Sequence, residues 1–152
     1  MTPESLFSFA STIVLPGWLL LVFAPRWKWT ARFICALVIP VLLGLLYLYI
    51  ILVHWRGSEG GFGSLGQVSD LFQSPWLLLA GWVHYLAFDL FIGAWEVRDA
   101  QRERIHHLLV IPCLFLTFMF GPIGLLLYLG LRVGTRKKIL IAEEETRASV
   151  RG

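Results

Sequence analysis

Four long apolar segments, almost free of charge, constrain this chain more than any other feature of its sequence. They run from Leu6 to Ala24, from Phe33 to Val53, from Trp76 to Trp95 and from Leu108 to Leu131, and Asp89 is the only Asp, Glu, Lys or Arg within them. A helix needs about 20 apolar residues to cross about 30 Å of hydrocarbon, and isolated strands leave backbone groups unsatisfied in lipid. The pattern predicts an all-α integral membrane protein with these four spans, folded as a four-helix bundle.

Composition supports a membrane protein and excludes most other classes. Apolar residues make up 57% of the 152 residues and charged residues 15%, whereas soluble domains average about 45–50% and about 25%. Two cysteines are too few for a disulfide scaffold. The sequence predicts one membrane domain over residues 1–133 and a polar C-terminal tail over residues 134–152.

The basic residues lie beside the ends of the predicted spans, where they anchor to anionic headgroups, and no basic stripe predicts binding to nucleic acid. With four spans both termini share one side, and the charges near the span ends are almost balanced, so the positive-inside rule does not fix the orientation. One side would hold Arg56, Arg132, Arg136, Lys137 and Lys138, and the other Arg26, Lys28, Arg32, Arg98, Arg102 and Arg104.

The segment between the second and third spans is rich in glycine, with five glycines from Gly57 to Gly66. This composition is typical of a flexible connector, or of a lid over a pocket. Residues 67–73 follow with apolar side chains on one side, which predicts a short amphipathic surface helix.

Two ionisable side chains inside the third span, His84 and Asp89, are the main candidates for function, because a buried carboxyl is costly in a membrane. They are five residues apart, about 140° around a helix, and do not share a face. Tyr85 is four residues before Asp89 and can hydrogen-bond to it.

Three interpretations of these polar residues compete. In the first, Asp89 donates a proton and His84 accepts one in acid–base catalysis. In the second, a metal ion is bound by carboxylates and imidazoles at the end of the third span and the start of the fourth. In the third, the polar groups only connect helices. The metal candidates are Glu96, Asp99, His106 and His107.

Several collinear motifs resemble the abscisic-acid-deficient-four-like family, whose plant members are required for neoxanthin synthesis. The motifs are Leu-Pro-Gly-Trp-Leu-Leu at 15–20, Phe-Ala-Pro-Arg-Trp at 23–27, Gly-Gly-Phe-Gly-Ser-Leu at 60–65, Pro-Trp-Leu-Leu-Leu-Ala-Gly-Trp-Val-His at 75–84, Phe-Asp-Leu-Phe at 88–91, Arg-Asp-Ala at 98–100 and Gly-Pro-Ile-Gly at 121–124. They cover roughly residues 15–131.

The resemblance implies a carotenoid or related isoprenoid as ligand, and isomerisation of an epoxy-carotenoid such as violaxanthin to an allene. That reaction needs an acid at the epoxide oxygen and a base at the neighbouring polyene carbon, and no redox cofactor. The family's polar positions map onto His84, Asp89, Asp99 and His107. We expect Asp89 to be the acid and His84 the base or its orienter, with Tyr85 beside them and Asp99 and His107 in support.

No cofactor is expected if the chain is an acid–base isomerase. The alternative is that the chain binds a metal ion. The expected partners are a carotenoid or other apolar lipid and the membrane, with oligomerisation left open. The compact chain has no extension typical of a transit peptide. It therefore resembles bacterial members of the family, and we expect a bacterial inner membrane.

Overall fold

A computed structural model describes residues 2–136 except 28 and 58, and in that part of the chain all regular structure is helical. The helices are α1 (Pro3–Phe23), a π-helical segment (Thr30–Val38) that continues directly into α2 (Ile39–His54), α3 (Leu65–Gln73), α4 (Pro75–Arg102), α5 (His107–Phe120) and α6 (Pro122–Arg136). The predicted all-α class is confirmed. Of the predicted tail, residues 137–152 lie outside the described residues.

Three helices are long and apolar enough to cross a membrane. They are α1 with 21 residues, the continuous helix Thr30–His54 with 25, and α4 with 28. Their starts have clear local causes: the Thr2 side chain caps α1 ahead of Pro3, and Pro75 occupies the first turn of α4, where its missing N–H costs nothing. The first three predicted spans are therefore helices of membrane-crossing length.

The fourth predicted span, Leu108 to Leu131, is not one helix. It is divided between α5 and α6, because Gly121 has φ +46° and Pro122 follows it. Glycine tolerates this backbone conformation, and proline lacks the N–H that would continue the helical ladder. At 1.5 Å per residue α5 is about 21 Å long, too short for about 30 Å of hydrocarbon, and the described part of α6 is about 23 Å long. The expected four-helix bundle is not confirmed, since three spans and a helical hairpin take its place.

Helix α4 is the centre of the packing. Half of its apolar stretch is buried inside the protein, against 33% for α1 and 17% for Thr30–His54. Gly93 of α4 lies directly under the Trp18 ring, so that an added Cβ would be 2.7 Å from it. Gly17 of α1 similarly faces Leu90 at 3.1 Å. Small residues thus let α1 and α4 approach closely, as is common between membrane helices.

The predicted amphipathic helix after the glycine-rich loop is present as α3. Ser64 caps it by accepting a hydrogen bond from the Gln67 N–H at 3.2 Å. Leu71 is buried, and the Phe72 ring lies 3.1 Å from the position that a Cβ on Gly81 would take. The contact with Gly81 places α3 across the first turns of α4.

Candidate functional site

The centre of α4 faces the tip of the hairpin formed by α5 and α6. Asp89 is the fifteenth of the 28 residues of α4, and a Cβ on Gly121 would be 2.9 Å from its Oδ1 atom. The carboxyl therefore lies against the turn between α5 and α6. Oδ2 of Asp89 is buried and has no hydrogen-bond partner among the described residues, so this carboxyl is incompletely satisfied in the middle of the membrane-spanning region.

Tyr85 lies one helical turn before Asp89, as the spacing predicts. Its hydroxyl donates a hydrogen bond to the Phe118 carbonyl oxygen of α5 at 3.0 Å, and the Asp89 carboxyl is its other polar neighbour. The two side chains therefore form a polar pair where α4 meets the end of α5.

A cavity of about 800 Å³ ends at Tyr85. Its wall is mainly apolar and aromatic, with Trp82 of α4, Phe72 of α3 and Met119 of α5, and its other end is lined by Pro3, Glu4 and Ser8 at the start of α1. Ten residues of α4 separate Pro75 from Tyr85, which is about 15 Å of helix. The cavity therefore extends from the start of α4 to about the middle of that helix, and Asp89 lies one turn beyond it.

His84 is on a different face of α4 from this pair. Its ring stacks on Phe88, with the ring centroids 4.5 Å apart, and tilts against Tyr47 of α2 at 5.9 Å. The side chain is exposed and does not line the cavity. The angle of about 140° inferred from the sequence thus corresponds to a real separation between His84 and Asp89.

Two further acidic residues of α4, and Glu103 directly after its last residue, face the hairpin. Glu96 is fully buried, and its Oε1 accepts a hydrogen bond from the Thr117 hydroxyl at 2.9 Å, whereas Oε2 has no partner in the described part of the chain. Asp99 accepts hydrogen bonds from the Tyr128 hydroxyl at 2.7 Å and from Arg132 Nε at 2.8 Å. Glu103 is 3.6 Å from Arg132.

Sequence reasoning missed the residues of the hairpin that meet these acids: Thr117, Tyr128 and Arg132. Arg132 was interpreted as an anchor at a headgroup, but it is 1% exposed. A signal was present, because Tyr128 and Arg132 are four residues apart and share a helix face in an otherwise apolar segment. Asp99, expected to support the site, contacts Tyr128 and Arg132 and so joins α4 to α6.

The four candidate metal ligands are not brought together. Glu96 contacts Thr117, Asp99 pairs with Arg102 and Arg132, and a ring nitrogen of His107 is 3.0 Å from the Val22 carbonyl oxygen. His106 is exposed at the start of α5. Over the described residues no three His, Cys, Asp or Glu side chains form a group that could hold a metal ion.

Comparison with known proteins places these residues in a family context. A model of the family described as ABA DEFICIENT 4-like matches residues 5–128. Protein ABA DEFICIENT 4, chloroplastic, from Arabidopsis thaliana is 27% identical over 130 residues, which is 80% of this chain and 58% of that protein. The chain thus spans little more than half the length of this relative. The relative's name gives no support to the expected bacterial inner membrane, and no solved structure matches the chain.

Proposed function

We propose that this chain, which belongs to the ABA DEFICIENT 4-like family, binds one end of a carotenoid or related isoprenoid in the cavity above Tyr85 and isomerises it by acid–base chemistry. The observation that carries the proposal is the cavity of about 800 Å³, which is mainly apolar along its wall and ends at Tyr85, one helical turn from Asp89. Ligand pockets of about 300–1,000 Å³ with a few convergent polar groups are typical of small-molecule sites.

The shape of the cavity suits one end of an elongated apolar molecule. A xanthophyll carries polar oxygen on its end ring and a long polyene chain behind it. The ring would lie near Tyr85, and the polyene would follow Trp82 and Phe72 toward lipid, where no polar group has to be satisfied. This arrangement places the reactive oxygen next to the hydroxyl that can donate a proton.

The reaction implied by the family resemblance is balanced by two proton transfers. A proton is added to the epoxide oxygen, the C–O bond opens with its electron pair going to that oxygen, and a proton leaves the neighbouring polyene carbon. The electron pair of the broken C–H bond forms the new double bond of the allene. One proton is gained and one is lost, so the product is an isomer and no electron acceptor is required.

Among the candidate residues, the geometry favours Tyr85 and Asp89 for these transfers. Tyr85 lines the cavity, so its hydroxyl contacts the ligand, and Asp89 supplies a proton from the adjacent turn. The earlier expectation paired Asp89 with His84, but the His84 ring lies outside the cavity wall. We therefore assign the acid function to the Asp89–Tyr85 pair and leave His84 as the rival to be separated by mutation.

Expression in a carotenoid-producing host, followed by chromatography of the pigments, tests the proposal. A new isomer is expected with the unaltered chain, and Asp89→Asn and Tyr85→Phe should each lower its amount by about 10²–10⁴-fold, the usual contribution of a general acid or base. His84→Ala is the matched variant from the other face of α4 and should retain activity. Loss of activity in His84→Ala with retention in Tyr85→Phe would return the catalytic assignment to His84.

The same experiment separates catalysis from simple binding. A pigment that co-purifies with the chain and stays chemically unchanged would identify a carotenoid-binding subunit for another enzyme. An unchanged pigment profile without any bound pigment would refute the carotenoid assignment.

A further inference from the structure

The hairpin formed by α5 and α6 begins and ends on the same side of the protein. At its start, a His107 ring nitrogen is 3.0 Å from the carbonyl oxygen of Val22, near the end of α1. Its tip at Gly121 lies against Asp89, halfway along α4. At its end, Arg132 contacts Asp99 at 2.8 Å and Glu103 at 3.6 Å, where α4 ends.

These contacts show that α5 runs from the end of α4 toward the middle of α4, and that α6 runs back toward the end of α4. From Asp89 to the end of α4 at Arg102 is 13 residues, or about 20 Å, which matches the lengths of α5 and α6 at 1.5 Å per residue. The hairpin thus reaches only to the middle of the membrane. Helices broken at mid-depth are tolerated there because the turn is buried in protein, in this case against α4.

A hairpin of this kind changes the topology of the chain. α1, Thr30–His54 and α4 are long and apolar enough for three crossings, and three crossings put the start of α1 and the end of α4 on opposite sides. The hairpin returns to the side on which α4 ends, and the end of α6 therefore lies opposite the start of α1. Four complete spans would have put both on the same side.

The new topology separates the positive charges, which the four-span topology did not. Among the described residues seven arginines lie on the side where α1, α4 and α6 end, a side that we call the arginine face: Arg26, Arg32, Arg98, Arg102, Arg104, Arg132 and Arg136. In the described ranges Arg56 is the one arginine on the opposite face, beside Glu4, Glu59 and Asp70. Without Arg98 and Arg132, whose guanidinium groups bond inside the protein, the ratio is still five to one.

The cavity opens on the face that is poor in arginine. Pro3 and Glu4 at the start of α1 and Pro75 at the start of α4 line its outer end, and α3 lies beside them. Cavity and hairpin therefore approach the middle of the membrane from opposite sides and meet at Tyr85 and Asp89.

We infer that the arginine face lies on the cytoplasmic side of the membrane in a bacterial host and that the cavity takes its ligand from the opposite leaflet. Lys and Arg near span ends are retained on the cytoplasmic side, and the eight described arginines divide seven to one in this topology, whereas four complete spans would divide them five to three. The leaflet from which the ligand enters rests on the proposed function, because it assumes that an apolar ligand occupies the cavity. The orientation of the arginine face does not depend on the proposed function.

Labelling of single introduced cysteines with a membrane-impermeant maleimide tests the inference in spheroplasts of an expressing bacterium. Ser8→Cys reports the cavity mouth, Ser69→Cys reports α3, and Thr135→Cys reports the end of α6; all three side chains are exposed. The unaltered chain is the background control, since Cys35 and Cys113 are buried. Ser8→Cys and Ser69→Cys should react in intact spheroplasts, and Thr135→Cys only after permeabilisation.

Two labelling patterns would overturn the inference. Reaction of Ser69→Cys and Thr135→Cys from the same side would show that α5 and α6 cross the whole membrane. Reaction of Thr135→Cys alone in intact spheroplasts would show the reverse orientation.

Reporter fusions to the full chain test the orientation a second time, by a measurement that does not depend on thiol reactivity. Green fluorescent protein after Gly152 should fluoresce, and alkaline phosphatase inserted after Gly57 should be active, because each reporter works on only one side of the inner membrane. An active phosphatase after Gly152 would contradict the inference even if no introduced cysteine reacts.

The leaflet of entry is tested by modifying the mouth of the cavity. Maleimide on Ser8→Cys should lower pigment binding or conversion at least tenfold, and the same reagent on Thr135→Cys in permeabilised cells should not. Equal effects at both positions would overturn the assignment of the leaflet. Failure of the pigment assay with the unaltered chain would instead count against the proposed function and leave the orientation intact.

Discussion

Arg132 is enclosed between α6 and α4, and its Nε atom donates a hydrogen bond to Oδ2 of Asp99 at 2.8 Å, with both side chains 1% exposed. The same carboxylate has a second arginine partner, Arg102, at 2.6 Å, whose side chain is 43% exposed. One acid thus joins a buried arginine of the hairpin and a surface arginine of its own helix. The buried pair fixes the end of the hairpin to the end of α4.

The two arginines make a matched comparison of buried and exposed ion pairs. Arg132→Gln should lower the free energy of unfolding by about 3–5 kcal/mol, because it leaves Asp99 charged and partly unpaired in a dry interface. Arg102→Gln should cost under about 1 kcal/mol, since exposed pairs are screened by solvent. Thermal unfolding of the two variants in one detergent measures the difference. Similar losses would show that the Arg132 contact does not hold the hairpin.

Gly121 is the position at which the tip of the hairpin depends on glycine. Gly121→Ala should destabilise the protein by about 1–3 kcal/mol, because an L residue is strained at φ +46° and its Cβ would be 2.9 Å from Asp89 Oδ1. Gly130→Ala on α6 is the control, because nothing lies within 4 Å of its Cβ position and alanine favours a helix. Unfolding temperatures decide between them, and an unchanged value for Gly121→Ala would refute the tight contact with Asp89.

The Thr117 hydroxyl is the hydrogen-bond partner of the buried Glu96 carboxyl in the described part of the chain, with 2.9 Å between their oxygens. Thr117→Val keeps the shape of the side chain and removes the donor, so it should cost about 1–3 kcal/mol of unfolding free energy, the usual penalty for an unsatisfied buried polar group. Thr117→Ser keeps the hydroxyl and should cost less. If the two variants unfold alike, the hydroxyl is not what stabilises Glu96.

The helices and the central acid could be predicted from the sequence because each rests on a local signal. Long apolar segments gave the three spans, and a single carboxyl within them identified Asp89. The family model that matches residues 5–128 likewise confirms the family resemblance inferred from the motifs at residues 15–131.

The hairpin could not be predicted in the same way, because its cause is tertiary. An apolar segment of 24 residues from Leu108 to Leu131 predicts one span. A Gly-Pro pair does not by itself argue against this, because membrane helices tolerate both residues. The hairpin is held against α4 near its open end by Asp99, which Arg132 reaches only after the chain has turned back at Gly121. Distances between residues more than 30 positions apart therefore decide the topology, and with it the orientation.

A bulky residue in the cavity tests whether this space holds the ligand. Leu78 lines the cavity and is 55% exposed, whereas Leu126 on α6 is 68% exposed and does not line the cavity. Leu78→Trp should reduce the pigment that co-purifies with the chain at least about tenfold, equivalent to about 1.4 kcal/mol of binding free energy. Leu126→Trp adds the same side chain to a lipid-facing surface and should leave the pigment bound. Absorbance of the pigment per mole of purified protein measures both, and equal pigment in the two variants would place the ligand elsewhere on the protein.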